Sequence, residues 1–158
     1  MHETIHVVPT GAFVDVKIHR EEGALMPCYA TPGAAGADLH AYIPEGTLLL
    51  VRGARKLIRT GITIELPAGF EAQIRPRSGL ALNHGITVLN APGTIDEDYR
   101  GEIGVILRNG SDKDYRFQHG DRIAQMVIAP VTRANYFIRT NNFTETERGS
   151  GGFGSSGR

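Results

Sequence analysis

The segment GTIDEDYRG, residues 93–101, lies between two strand-like runs, ITVLN at 86–90 and EIGVIL at 102–107. A proline and a glycine separate the first run from the rest of the segment, which is typical of a turn. The pattern therefore predicts a β-hairpin. Asp96 and Tyr99 would lie on its returning arm, where a carboxylate and an aromatic ring are held on a rigid element. This arrangement suits a site that binds a flat ring and positions a base beside it.

The same residues have a simpler explanation. Asp96 and Asp98 could be solvated turn residues, and Tyr99 could pack against a neighbour on the facing strand. Considered alone, the segment favours this simpler explanation. A functional interpretation therefore depends on the other polar residues that the chain carries.

Short apolar or alternating runs recur along the chain and predict an antiparallel all-β fold. Glycine, proline, asparagine or aspartate separates most of them, as in a sandwich, barrel or jelly roll. The predicted strands are residues 13–19, 47–51, 57–66, 70–75, 86–89, 104–107, 123–128 and 136–139. The one helical candidate is residues 78–83, with Ser78 as its capping residue and Gly85 just beyond its end.

Composition sets limits on the function. The chain has 158 residues, which favours a single domain, and its formal net charge is +0. It has no polybasic field for binding nucleic acid or an anionic membrane, so we expect neither as a partner. The single cysteine, Cys28, excludes an intrachain disulfide, and no signal peptide or membrane span is visible. We therefore expect a cytoplasmic protein.

Three further stretches carry polar residues that a β scaffold does not require. Asp38 stands at the start of a predicted strand, where a turn acid is its simplest explanation. The stretch RPRSGL, residues 75–80, places arginine, a hydroxyl group and a glycine amide at a helix N-terminus, which favours anions. An ordinary cap with surface arginines explains that stretch equally well. Gln125 lies on the apolar face of residues 123–128, either as a satisfied core residue or as a ligand group.

The C-terminal residues, 148–158, differ in kind from the rest. They are rich in glycine and serine and cannot bury enough surface to hold themselves in place. A flexible linker would explain this composition. However, Phe153 lies between Arg148 and Ser155, and an aromatic ring flanked by phosphate-type ligands indicates a lid.

Taken in chain order, these stretches resemble the five motifs of the trimeric deoxyuridine triphosphate nucleotidohydrolase (dUTPase) family. Each motif alone is only moderately specific. All five in order are strongly specific, and together they span most of the chain after the first strands. The matching residues are AGADL at 35–39, RPRSGL at 75–80, residues 90–101, GDRIAQM at 120–126 and residues 148–157. Ala37 is smaller than the aromatic residue often found there, and residues 1–12 have no counterpart.

The resemblance implies a jelly-roll-like (β-clip) fold with one short helix. It implies one β domain, residues 1–147, followed by a flexible lid over the active site, residues 148–158. It also implies a homotrimer with shared sites, in which the tail of one chain covers a site formed by the other two.

The implied activity is hydrolysis of dUTP to dUMP and pyrophosphate. This reaction limits uracil incorporation into DNA and supplies dUMP for dTMP synthesis. By resemblance, Asp96 is the general base for the water that attacks the α-phosphorus. Asn90 pairs with the uracil, and Tyr99 packs on the deoxyribose and leaves no room for a 2′-hydroxyl group. The implied cofactor is Mg²⁺, which bridges phosphate oxygens with Asp38 near it through water.

Further residues would bind the phosphates or close the site. By resemblance they are Arg77, Ser78, Gly79 and Gln125 in the body of the protein and Arg148, Phe153, Gly154 and Ser155 in the tail. The sequence leaves Arg75, Arg100 and Arg122 open between ligand and structural roles.

Two alternatives share the fold. A deoxycytidine triphosphate deaminase would be expected to lack a glycine-rich tail with a phenylalanine. A non-catalytic nucleotide-binding regulator could lose Asp96, Tyr99 or Phe153, and this chain retains all three.

Overall fold

Antiparallel β-strands account for most of the regular structure. The computed structural model describes residues 13–138 and 143–153, and within them it contains twelve strands and one helix. In chain order these are β1 (Lys17–Arg20), β2 (Cys28–Tyr29), β3 (Ala37–His40), β4 (Thr47–Leu50), β5 (Arg55–Arg59), β6 (Ile62–Glu65), β7 (Phe70–Arg75), α1 (Ser78–His84), β8 (Ile86–Val88), β9 (Gly93–Ile95), β10 (Gly104–Asn109), β11 (Tyr115–Gln118) and β12 (Arg122–Pro130). The strand pairs are antiparallel. The predicted all-β class with one short helix is confirmed.

The strands form four sheets. The largest has the order β2-β3-β12-β7-β9, and a three-stranded sheet has the order β5-β10-β8. The pairs β1-β6 and β11-β4 complete the set. Strand β12 lies at the centre of the largest sheet, where Gln125 is opposite Asp38 of β3 on one side and Arg75 of β7 on the other. Three residues that are distant in the chain thus form one row across this sheet.

One hydrophobic core joins the sheets. Buried residues alternate along the strands, as in β7, where Ala72 and Ile74 are buried and Arg75 is exposed. Phe117 of β11 is the largest side chain that is fully buried, and full burial of such a side chain contributes about 1.5–3 kcal/mol. Leu80 is the buried residue of α1, so the helix is held against the core by its first turn.

The helix begins differently from the prediction. Ser78 is its first helical residue, and Arg77 occupies the capping position without a side-chain capping bond. The prediction of Ser78 as the cap is therefore wrong, because Arg77 already has the extended backbone of a cap, with φ −93° and ψ 128°. Gly85 ends the helix in the left-handed region, φ 64°, as predicted. No helix within the described residues has the length and apolar character to span a membrane.

The predicted hairpin is correct in its strand pairing and wrong in its connection. Strands β8 and β10 do pair. Between them, β9 joins another sheet and pairs with β7, with Gly93 opposite Ile74. Asp96, Asp98 and Tyr99 therefore lie in the loop after β9 instead of on the returning arm. The unpaired edge of β7 offers β9 a ladder of backbone hydrogen bonds that the local turn composition does not reveal.

Some predicted strands also have different limits. Residues 57–66 form two strands, because Gly61 turns the chain with φ 67°. Residues 136–138 are not in a strand, and residue 139 lies outside the described residues. The short strands β2, β9 and β11 were not predicted, since none contains a long apolar run.

Asn109, at the end of β10, ties three segments together. It is fully buried, and its amide nitrogen donates to the carbonyl oxygens of Leu50 (3.1 Å) and Lys113 (2.8 Å). Its amide oxygen accepts from the backbone N–H of Ser111 (3.0 Å) and from the Ser111 hydroxyl group (2.8 Å). The bond to Leu50 is buried and the other three are partly buried, so all four side-chain bonds of Asn109 are shielded from solvent to some degree.

We expect Asn109→Leu to lower the free energy of unfolding by about 2–4 kcal/mol, because it leaves buried carbonyl and N–H groups without partners. Denaturant unfolding followed by circular dichroism measures this change. Asn83→Leu, at an exposed position on α1, is the matched control and should change stability by less than about 0.5 kcal/mol. Equal stability of the two variants would contradict this account of Asn109.

Candidate active site

A cleft of about 210 Å³, here called the Asp96 cleft, opens where β9 ends beside β7 and β10. Its lining residues are Ile74, Asn90, Gly93, Thr94, Ile95, Asp96, Tyr99, Glu102 and Gly104. The fold therefore brings together three of the predicted site residues, Asn90, Asp96 and Tyr99.

The Asp96 carboxylate is available for chemistry. It is exposed, and the five ion pairs among the described residues do not include it. The amide of Asn90 lies nearby against Gly93, where a Cβ atom would be 3.3 Å from Asn90 Nδ2. A carboxylate that no cation neutralises can accept a proton from a water molecule in the cleft.

Tyr99 is held in place by its hydroxyl group. The hydroxyl donates to the carbonyl oxygen of Glu102 (3.0 Å), and the Tyr99 N–H donates to the Asp96 carbonyl (3.1 Å). A Cβ atom at position 101 would overlap the Tyr99 ring, so this ring position requires Gly101. The ring and the Asp96 carboxylate are thus fixed in one loop, residues 96–102, here called the Asp96 loop.

The first half of the Asp96 loop is fastened by Glu97 and Arg100. The Glu97 carboxylate accepts from the backbone N–H of Gly69 (2.7 Å) and pairs with Arg133 (3.5 Å). The Arg100 guanidinium donates to the carbonyl oxygens of Glu97 (2.6 Å) and Tyr99 (2.9 Å). Arg100 therefore has a structural role in this chain, and Glu97 links the loop to the turn before β7.

The second half of the loop is fastened by Glu102. Its carboxylate accepts from the backbone N–H of Gly61 (2.7 Å) and pairs with Arg59 Nη2 (2.8 Å). Burial acts to raise the pKa of this carboxyl, but the hydrogen bonds from Arg59 and Gly61 and the charge of Arg59 outweigh it and lower the pKa. Glu102 is therefore ionised at neutral pH.

A second cleft of about 350 Å³, here called the Arg77 cleft, lies between β3, β12 and the start of α1. Its lining residues are Ala30, Ala34, Ala35, Gly36, Asp38, Arg75, Arg77, Ser78, Gly79, Arg122, Gln125 and Val127. Five predicted residues, Asp38, Arg77, Ser78, Gly79 and Gln125, are brought together here. Three arginines and one aspartate give this cleft a positive charge, which suits an anionic ligand.

Asp38 organises the arginines of this cleft. The carboxylate is largely buried and accepts from Arg77 Nε (3.0 Å) and Arg122 Nη1 (3.1 Å), one at each oxygen. Burial lowers the pKa of the neighbouring His40; the charge of Asp38 opposes this shift, and those of Arg122 and Arg77 add to it. The His40 imidazole is therefore neutral at neutral pH, and the positive charge of the cleft comes from arginine.

Gln125 and the helix start complete the polar lining. Gln125 Nε2 donates to the carbonyl of Pro76 (2.9 Å), and its side chain fits because Gly36 has no Cβ atom to overlap it. Ser78 and Gly79 are exposed at the first turn of α1, where backbone N–H groups have no partner within a helix. Hydroxyl, amide and N–H donors therefore surround the arginines.

The two clefts have no lining residue in common. The neighbours Ile74 and Arg75 of β7 line different clefts, and successive side chains of a strand point to opposite faces of the sheet. The predicted site residues thus form two groups within one chain, and the fold does not bring these groups to one place.

The described part of the tail, residues 148–153, contributes no lining residue to either cleft. Arg148 Nε donates to the carbonyl of Gly151 (2.9 Å) within a local turn. Phe153 is fully exposed, with φ 50°, and neither residue lines a cleft. The predicted lid residues Gly154 and Ser155 lie outside the described residues.

The residues of this chain fit a metal ion that is held mainly by the phosphate groups of a bound ligand. Within residues 13–138 and 143–153, no group of three His, Cys, Asp or Glu side chains is placed to bind a metal ion. Both oxygens of Asp38 already accept hydrogen bonds from arginine. A small hard cation such as Mg²⁺ keeps several water ligands and binds phosphate oxygens, so this donor set fits such an ion only in company with a phosphate ligand.

Sequence reasoning missed Glu97, Glu102 and Arg59. One sequence feature could have indicated Glu102: it is a charged residue directly before an apolar run, which begins with the buried Ile103. The sequence left the roles of Arg75 and Arg122 open. Both line the Arg77 cleft, where Arg122 pairs with Asp38 and Arg75 donates to Gln73 (2.6 Å).

Known proteins of one family match this chain and its fold. A deoxyuridine 5'-triphosphate nucleotidohydrolase of Roseobacter denitrificans is 53% identical over 150 residues, covering 92% of this chain and 98% of its own. That of Chlamydia pneumoniae is 56% identical over 137 residues, covering 87% and 94%. The solved structure of a mutant Staphylococcus bacteriophage 80alpha dUTPase with dUpNHpp has a TM-score of 0.82, with 23% identity and coverage of 91% and 99%. A mutant dUTPase from phage phi11 of S. aureus, solved with a structural Mg(II) ion, has a TM-score of 0.71, with 21% identity and coverage of 80% and 97%.

The two phage structures support the fold, and the two bacterial relatives support the family. The sequence model of the dUTPase family matches residues 22–157, a range that contains both clefts and all of the tail except Arg158. This chain belongs to the dUTPase family.

Proposed function

We propose that this protein hydrolyses dUTP to dUMP and pyrophosphate. The observation that carries the proposal is the division of the site residues between two clefts of complementary chemistry. The Asp96 cleft offers an amide, an aromatic ring and a free carboxylate, as a nucleoside and an attacking water require. The Arg77 cleft offers arginine, hydroxyl and amide donors, as a triphosphate requires. The reaction would limit uracil incorporation into DNA and supply dUMP for dTMP synthesis.

Asp96 acts as the general base. Its exposed carboxylate orients a water molecule toward the α-phosphorus and takes a proton from it as the bond to phosphorus forms and pyrophosphate leaves. A positioned base of this kind contributes roughly 10²–10⁴-fold. The hydrogen bonds that fasten the Asp96 loop support this role, since the value of a weak base lies in its position.

Asn90 and Tyr99 select the nucleoside. The Asn90 amide and nearby backbone groups pair with the uracil edge, and such a hydrogen-bonding site rejects a base that leaves its polar groups unpaired. Tyr99 packs on the deoxyribose and leaves no room for a 2′-hydroxyl group. The restraint of its ring by the Glu102 carbonyl supports a steric role.

Arg77, Ser78, Gly79 and Gln125 bind and orient the triphosphate. Mg²⁺, when bound, would neutralise charge on the phosphate oxygens, and a phage dUTPase of this fold is described with a structural Mg(II) ion. Asp38 would contribute through water, because its oxygens already hold Arg77 and Arg122.

Each site is shared between subunits of a homotrimer. The two clefts of one chain share no lining residue, which supports an arrangement in which a substrate contacts one cleft from each of two chains. A second observation supports association: the segment after β12 exposes apolar side chains that a lone chain leaves in water. They are Tyr136 (96%), Phe137 (80%), Ile138 (96%) and Phe143 (92%).

The tail, residues 148–158, closes the site as a mobile lid on the β domain of residues 1–147. Phe153 stacks on the uracil, and Arg148, Gly154 and Ser155 reach the terminal phosphate. The complete exposure of Phe153 among the described residues supports this role, because an exposed ring can stack on a base.

Replacing the base tests the chemistry. Asp96→Asn should keep the thermal midpoint and lower kcat by roughly 10²–10⁴-fold, because shape is kept and basicity is lost. The assay measures pyrophosphate release from dUTP and, in separate reactions, from dCTP, dTTP and UTP. Asp98→Asn, an exposed acid of the same loop that lines neither cleft, is the control and should stay active. Comparable turnover in Asp96→Asn and wild type would refute the assignment.

Mixing inactive variants tests the shared site. Asp96→Asn disables one cleft, and Ser78→Asp places a negative charge in the other. When the two are co-expressed, about a quarter of the sites should combine two intact clefts, and activity should reappear. Co-expression of Asp96→Asn with Asn90→Ala, two defects in the same cleft, should restore none. Equal behaviour of the two mixtures would show that each site lies within one chain.

Shortening the tail tests the lid. Truncation before Arg148 should leave the thermal midpoint unchanged and reduce kcat/KM strongly, and Phe153→Ala should show part of this loss. Stacking of a base on an aromatic ring contributes about 1–3 kcal/mol. Phe13→Ala, at another exposed phenylalanine, is the control for loss of a surface ring. If truncation leaves kcat and KM intact, the tail is a linker.

A further inference from the structure

We propose that Glu102 is a positioning residue that sets the orientation of the Tyr99 ring, and thereby the discrimination between deoxyribose and ribose, through its ion pair with Arg59. The inference rests on the proposed function, in which Tyr99 packs on the sugar. Glu102 acts here through Tyr99, and its carboxylate is committed to Arg59 and Gly61.

The first link is between the Tyr99 ring and the backbone of Glu102. The Tyr99 hydroxyl donates to the Glu102 carbonyl at 3.0 Å, and the ring lies against Gly101. A tyrosine side chain has only two χ angles. Fixing the hydroxyl group therefore fixes the plane of the ring, and a shift of the Glu102 carbonyl would turn it.

The second link is between Glu102 and the turn that joins β5 to β6. The carboxylate accepts from the Gly61 N–H at 2.7 Å, and both its oxygens accept from Arg59 Nε, at 2.9 and 3.2 Å. The turn itself is a rigid anchor, because Gly61 has φ 67° and a Cβ atom there would lie 2.5 Å from the Ala24 Cβ. Arg59 is also restrained, with its guanidinium 5.1 Å from the centre of the Tyr42 ring.

The third observation places Glu102 at the boundary between core and cleft. Ile103 is fully buried; its N–H donates to the Ile62 carbonyl (2.8 Å), and its own carbonyl accepts from Thr60 (2.6 Å). The chain is therefore fixed from Ile103 onward. The contacts of the Glu102 side chain extend that fixed region by one residue, into the end of the Asp96 loop.

The effect should be on selectivity more than on rate. Asp96 lies at the other end of the loop, next to β9, which is held by its pairing with β7. The Glu97 carboxylate holds that end separately, through Gly69. Loosening Glu102 should therefore move the Tyr99 ring while leaving the base close to its position.

The test compares kcat/KM for dUTP and UTP in wild type, Glu102→Gln and Arg59→Met, with melting curves on each. Glu102→Gln keeps the size of the side chain and removes its charge. The dUTP-to-UTP ratio should fall by about tenfold, as expected when a charge-assisted hydrogen bond is lost. In Arg59→Met the dUTP-to-UTP ratio should also fall, but by less, because the carboxylate keeps its charge and its bond to Gly61. The double variant should match Glu102→Gln alone, since both changes break one link.

Asp114→Asn is the matched control. Its carboxylate also accepts from a backbone N–H of a turn, that of Arg52 at 2.8 Å, and it does not line the Asp96 cleft. A merely structural role for Glu102 would lower the melting temperature and the rates with both nucleotides alike, leaving the ratio unchanged. If the wild type prefers dUTP and the ratio is unchanged in Glu102→Gln and Arg59→Met, the inference is overturned.

If Glu102→Gln does not fold, Arg59→Met decides, since Arg59 is half exposed and its loss leaves the core intact. A wild type that releases no pyrophosphate from dUTP would instead refute the proposed function.

Discussion

The register of β12 is the constraint on which the rest of the structure depends. Because Gln125 is opposite both Asp38 and Arg75, one strand aligns three polar residues that the chain keeps far apart. A slip of one residue would turn every side chain of β12 to the other face. The row would be lost, and Ile123 and Met126, which are buried, would leave the core. The packing of apolar residues therefore fixes the register that holds the polar row in place. The Arg77 cleft forms only when the core is packed correctly.

The acidic residues Asp38, Glu97 and Glu102 are committed to intrachain partners, whereas Asp96, which lines a cleft, is in no ion pair among the described residues. Asp38 holds two arginines, and Glu97 and Glu102 hold the ends of the Asp96 loop. Asp96 has no cation beside it among the described residues. Removing one partner of a largely buried ion pair is costly, because the remaining charge is left without compensation. The charges of Asp38, Glu97 and Glu102 thus hold neighbouring segments in position, whereas the carboxylate of Asp96 is available to a water molecule in the cleft.

The sequence allowed the fold class and the helix to be predicted, because strands and helix ends leave local patterns, and its motifs indicated residues that the fold gathers in two clefts. Long-range contacts leave none. The pairing of β9 with β7 could not be predicted from the turn composition around Gly93, and so Asp96 was assigned to a strand instead of to the loop after β9. The ion pairs of Asp38 join residues 39 and 84 positions apart, and no local pattern indicates such partners. Glu102 looked like an ordinary polar residue at a strand start, since its importance comes from the turn at Gly61, which is distant in sequence.

The exposed apolar segment after β12 has a consequence for the cell. Tyr136, Phe137, Ile138 and Phe143 are in water in a lone chain, and exposed apolar side chains are the surfaces that chaperones retain and proteases attack. If the homotrimer proposed above covers these side chains, a newly synthesised chain exposes them until it assembles. Chains made in excess of those that assemble would then be degraded. The abundance of the protein would follow the rate of assembly.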